Sequence, residues 1–184
     1  MKAPAQLELS LFSRARDASG SFTVTRVLKR HRAHQAILRK LAYVRRFFPE
    51  LDGIVIRVGL TRAASGMAVP GGREIWFNPA HISFHTIAHE FVHLLQGEMG
   101  VPRSERSCDL HSLARHWTLN DTRPCYVRIP NAFLDDTNRL TAAAARIVYD
   151  QAVEGLRRHA GGERRYIKGF EERLAAIAAT MRTT

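Results

Sequence analysis

Residues 81–93 read His-Ile-Ser-Phe-His-Thr-Ile-Ala-His-Glu-Phe-Val-His, and no other stretch of the chain constrains its fold as strongly. Ile87, Ala88, Phe91, Val92, Leu94 and Leu95 surround His89, Glu90 and His93. A helix built here must therefore be mostly buried, with one polar stripe facing a cleft. Residues four apart on a helix lie about 40° apart in projection and one turn apart in height, so the imidazoles of His89 and His93 can reach a single metal ion. Glu90 projects about 100° from His89, beside that position and suited to contacting water.

With 184 residues and 45% hydrophobic content, the chain is long enough to bury a core, and one domain spanning residues 1–184 is expected. Its net charge of +11 is uneven: residues 1–48 hold 11 basic and 2 acidic groups, residues 49–136 hold 8 and 10, and residues 137–184 hold 9 and 5. Basic ends around a nearly neutral centre fit a nucleic-acid or acidic surface. The simpler reading is a solvated, arginine-rich exterior, since only four of the 28 basic residues are Lys. The apolar residues near the start alternate with Gln6, Glu8 and Ser10, unlike a signal-peptide core, and no run approaches the ~20 apolar residues of a membrane span. A cytoplasmic protein without membrane contact is expected. Cys108 and Cys125 then stay reduced, and with no Cys-x-x-Cys pair a structural zinc knuckle is not expected.

Leu7, Leu9 and Leu11 alternate with polar residues over Gln6–Phe12, the period of a half-exposed strand. Thr23–Val27 reads as a second short strand or the lead into a helix. From about 29 to 48, Ile37, Leu41, Val44 and Phe48 recur at helical spacing while Arg30, Arg32, Arg39, Lys40, Arg45 and Arg46 take much of the rest, giving a basic amphipathic helix stopped by Pro49. Ile54, Val55, Ile56 and Val58 predict a buried strand over 54–58, and Thr61–Gly72 a loop or hairpin connection. Another strand is predicted at 73–77, before the metal helix. Asp135 or Asp136 with Thr137 can cap a helix running to Gly161, and a last helix covers Arg164–Met181.

Twelve residues after His93, Glu105-Arg-Ser-Cys-Asp109 lies in a helical stretch with Leu110, Leu113, Ala114 and Trp117. His89-Glu90-x-x-His93 followed by Glu-x-x-x-Asp on a second helix resembles the gluzincin branch of the zincin metallopeptidases, over about Arg73 to Trp117. The resemblance implies an α+β, zincin-like single domain, its small twisted sheet packed on the His89–His93 helix with flanking helices. The core would lie at about 50–136, with the basic segment at 29–48 and two helices in 137–181. It also implies Zn²⁺ held by His89, His93 and Glu105, Asp109 bonded to a ligating histidine, and Glu90 as the base toward a zinc-bound water. The implied activity is hydrolysis of peptide bonds in a protein or peptide substrate, with Glu74–Asn78 pairing along the substrate.

The residues themselves leave Asp109 open as a direct third ligand. His111 points to another face, and His85, one turn before His89, lines the cleft or belongs to the helix start. His81, His116, His31 and His34 read as surface or buried polar residues. An oxyanion formed in hydrolysis needs a donor, and among Tyr126, Tyr149, His111, His116 and Arg115 we select Tyr126, in the constrained loop Asp121–Pro130. A second class stays open: a nucleic-acid-associated protein, SprT-like or binding without catalysis, that uses the basic ends. SprT-like proteins carry a third histidine where this chain offers Glu105 and Asp109.

Overall fold

The computed structural model describes residues 21–97 and 100–181, so the strand expected at 7–12 lies outside the described residues. Six α-helices and four strands are seen among them, a mixed α+β arrangement. β1 (Phe22–Val24) leads through Thr25 into the short α1 (Arg26–Arg30), where the Thr25 hydroxyl accepts the Leu28 N–H. The single basic helix expected over 29–48 is interrupted. His31 is extended, its Nδ1 accepts the Ala33 N–H, and α2 (His34–Arg45) starts afresh and ends before Pro49.

Two basic residues of α2 do not belong to a solvated face. Arg45 is buried and donates to the carbonyls of Leu51 and Ile54, and Lys40 donates to Ile82 O at 2.8 Å. The Arg45 contacts also delay the strand expected over 54–58. They hold the turn at 51–54, where Gly53 takes a φ of 76°, so β2 begins only at Ile56 and runs to Leu60, leaving Val55 exposed.

β3 (Gly66–Ala68) and β4 (Glu74–Phe77) form a hairpin, and the sheet order is β1-β2-β4-β3. β2 pairs in parallel with β1 and β4, while β3 is antiparallel to β4. β4 is thus an inner strand with both edges occupied, which rules out Glu74–Asn78 as a free pairing edge. Among the described residues, the edge strand beside the helix of residues 84–94 is β3.

One apolar cluster joins Val58, Ile75 and Phe77 of the sheet to Ile37, Leu41 and Val44 of α2 and to Ile87, Phe91 and Val92 of α3 (Phe84–Leu94). A second joins Leu110 and Leu113 of α4 (Glu105–Leu113) to α5 (Ala142–Ala160) and α6 (Tyr166–Thr180), including Val148, Phe170 and Leu174. Cys108 of α4 belongs to the first cluster, so this helix spans the seam between the two. The helix α5 starts later than expected: Thr141 caps it, while Asp135 closes the preceding turn onto Thr137 and Arg139. No helix among the described residues is long and apolar enough to cross a membrane.

Candidate metal centre

The start of α3 is fixed twice. Ser83 Oγ accepts the Thr86 N–H at 2.9 Å, and the Asp121 carboxylate accepts the N–H groups of Phe84 and His85 at 3.1 and 3.0 Å. A carboxylate at a helix N-terminus satisfies orphan donors and complements the helix dipole. From that anchor His85, His89 and His93 follow at intervals of one turn, all buried. The Nε2 atoms of His89 and His93 are 3.2 Å apart.

α4 is aimed at the same point. Its Ser104 cap accepts the Ser107 N–H at 3.1 Å, and Glu105 in the first turn brings Oε2 to 3.0 Å from His89 Nε2 and 3.3 Å from His93 Nε2. One turn on, the buried Asp109 places Oδ1 2.8 Å from His89 Nδ1 and 3.4 Å from His85 Nε2. Its other oxygen accepts the backbone N–H groups of Tyr126 and Val127 at 2.6 and 3.1 Å. Burial disfavours the Asp109 carboxylate, but the bonds from His85 and His89 outweigh it and hold its pKa well below the usual range. For His89, burial opposes the imidazolium, while the bond and charge of Asp109, aided by Glu90 and Glu105, raise its pKa overall.

His89, His93 and Cys108, and likewise His85, His89 and Asp109, form buried groups compact enough to hold a metal ion. Cys108 Sγ lies 3.4 Å from His93 Nδ1, on the ring edge facing Gln96, and burial together with Glu105, Asp109 and Glu90 pushes its thiol up to about 12. The third set, two Nε2 atoms and Glu105 Oε2, has separations of 3.0, 3.2 and 3.3 Å.

Glu90 is buried, and its Oε2 has no hydrogen-bond partner among the described residues. Burial lifts its pKa to about 7, with His89 opposing and Glu105 adding to the shift. Gly66 of β3 lies directly over it: a Cβ there would sit 2.5 Å from Glu90 Oε1. The cleft holding these groups has a volume of about 1050 Å³, and Tyr126 lines it, its ring stacked on His89 with centroids 5.7 Å apart. Burial first, then Glu105, raise the Tyr126 phenol pKa, so it remains a protonated donor.

The other candidate donors lie elsewhere. Arg115 pairs with Glu50 at 2.7 Å, His116 caps the turn at 117–119 and has Tyr149 beside it, and His111 lies outside the cleft lining. His81 and His85 do line the cleft, His85 tied to Asp109 and to Ser112. His31 Nδ1 is engaged at the break between α1 and α2, and His34 opens α2.

Gln96, Gly66, Asp121 and Cys108 also belong to the site and were not expected there from the sequence. Only Gln96 carried a local signal, three residues after His93 at the helix end, where its Oε1 lies 2.9 Å from His93 Nδ1. No family model, curated protein or solved structure matches this chain.

Proposed function

We propose that the chain is a zinc-dependent peptidase of zincin type, with His89, His93 and Glu105 holding the metal. The observation that carries this reading is the size of the third set. Ligands about 2.0–2.2 Å from a tetrahedral zinc lie roughly 3.3–3.5 Å apart, close to the 3.0–3.3 Å separations of these three atoms. Both imidazoles engage Nδ1 elsewhere, on Asp109 and Gln96, which leaves the Nε2 lone pairs for a cation. The Asp109 and Cys108 alternatives would require atoms already committed to those bonds.

Bound zinc would supply a Lewis acid that polarises a scissile carbonyl and acidifies water. Glu90 supplies the proton transfers. Its unpartnered carboxylate, with a pKa near neutrality, accepts a proton from water as the C–O bond forms and returns it to the amine as the C–N bond breaks. Tyr126 presents its phenol to the same cleft as an oxyanion donor. An extended protein or peptide substrate pairs along β3, an edge strand among the described residues, whose Gly66 lets backbone approach Glu90.

Glu90→Gln tests the assignment. It should retain zinc and lower cleavage of an unstructured protein by about 10²- to 10⁴-fold. Undiminished cleavage would remove Glu90 from the mechanism.

A second reading rests on the exposed Arg26, Lys29, Arg30, Arg32 and Arg39 of α1, α2 and the link between them: this face binds nucleic acid and localises the protein. DNA affinity measured across salt concentrations tests it, and affinity independent of salt would contradict a phosphate footprint.

A further inference from the structure

His89 and His93 are oriented by different chemistry. His89 leans on the charged Asp109, whereas the partner of His93 is a neutral carboxamide one residue beyond the C-cap of α3. Gln96 is 4% exposed, and its amide is held on every side. Nε2 donates to Pro102 O at 3.0 Å and to Cys108 Sγ at 3.1 Å, which leaves Oε1 to accept from His93 Nδ1–H at 2.9 Å. Turning the amide over would set its NH₂ against the imidazole N–H and its oxygen against the Pro102 carbonyl, losing both bonds. The backbone pins it as well, since Gln96 N donates to His93 O, which also accepts the Gly71 N–H.

We infer that Gln96 is a positioning residue for the metal: it fixes the Nδ1–H tautomer of His93 and turns the Nε2 lone pair toward His89 Nε2 and Glu105 Oε2. This rests on the zinc-site reading. The neutral partner has an electrostatic reason. Glu90, Glu105 and Asp109 already place three carboxyl groups around two imidazoles, and a fourth acid would raise the charge that must be buried without metal. Cys108 acts through Gln96, its sulfur accepting the second amide hydrogen and so helping to prevent the flip.

Gln96→Leu and Gln96→Glu separate positioning from mere support of the 96–102 turn. Glutamate still accepts from His93 Nδ1–H but cannot donate to Pro102 O. In competition with a chromophoric chelator, Gln96→Leu should bind zinc about 10- to 100-fold more weakly than wild type, while Gln96→Glu stays within about threefold. Equal zinc affinity of Gln96→Leu and wild type, or equal losses in both variants, would overturn the proposal. Should Gln96→Leu fail to fold, long-range ¹H–¹⁵N correlation on the zinc-loaded wild-type protein decides. It should show His93 protonated at Nδ1 and metallated at Nε2, and the reverse overturns the proposal. A wild-type protein with no zinc affinity would instead bring down the metal-site reading itself.

Discussion

The two histidines and the carboxylate that meet between α3 and α4 are held in opposite ways. His89 and His93 are 7% and 8% exposed, sit on a helix packed into the sheet, and have their second ring nitrogens bonded to Asp109 and Gln96. Glu105 opens α4 with its side chain 48% exposed, and it bonds to the histidines themselves. One half of the site is therefore preorganised and the other adjustable. On the proposed zinc reading, the preorganised half would decide whether metal binds, and the exposed acid would set how tightly the site is closed from the solvent side.

Breaking that contrast should have its largest effect on α3. His89→Ala or His93→Ala should abolish stoichiometric zinc, whereas Glu105→Ala should keep it with affinity lowered by about 100-fold or less, as metal analysis and chelator competition would show. Equal loss in all three would mean that the exposed acid matters as much as the buried imidazoles.

The next effect is on stability, because Asp109 serves fold and site together. Asp109→Ala leaves the part-buried Tyr126 N–H and the buried Val127 N–H without their acceptor, and since a buried orphan costs about 1–3 kcal/mol and Tyr126 is exposed enough to reach water, urea unfolding should register a loss of about 1–3 kcal/mol. A loss confined to metal affinity would show that the 126–127 loop holds itself.

The same helix shows the contrast around its own axis, with Asp109 on the site face and His111 on another. Burial, then Arg115 and His159, push the His111 pKa down to about 4 against a weaker upward pull from Glu50. A histidine whose folded-state pKa lies below its unfolded value of about 6.5 gives stability that is complete above pH 6.5 and lost as pH falls toward 4. The shift corresponds to about 3 kcal/mol across that window. His111→Phe should flatten the stability profile there, and an unchanged slope would assign the acid sensitivity to other groups.

Smallest is the effect of crowding the base. In Gly66→Ala the new methyl meets Glu90 Oε1 at 2.5 Å, which should cut cleavage by about 10- to 100-fold while leaving zinc affinity alone. A coupled loss of zinc would show that β3 supports the ligands as well as the base.

Both halves of the site left a local mark in the sequence, while the groups that hold the histidines in place largely did not. Burial wrote itself into the apolar residues around His89, Glu90 and His93, the cap Ser83 lies next to the helix it starts, and the Glu105-to-Asp109 interval is one helical turn. What could not be read depends on partners distant in sequence. Asp121 caps α3 from more than 35 residues away, and Arg45 is drawn inward by two carbonyls of a later turn. Pairing order is not encoded in a strand's own residues, so the Glu74–Phe77 segment read as an edge while Gly66–Ala68, with almost no apolar pattern, took that place. Gln96 looked like an ordinary polar residue after a helix because its meaning lies in Pro102, Cys108 and the far side of an imidazole.

X-ray absorption at the zinc edge of the purified, zinc-loaded protein tests the central claim most directly. The account predicts about one zinc per chain, with nitrogen and oxygen neighbours at about 2.0–2.2 Å, the outer-shell pattern of two imidazoles, and no sulfur. A sulfur neighbour at about 2.3 Å would move the site onto a cysteine, Cys108 or the cleft-lining Cys125, and a protein that retains no zinc would contradict the account altogether.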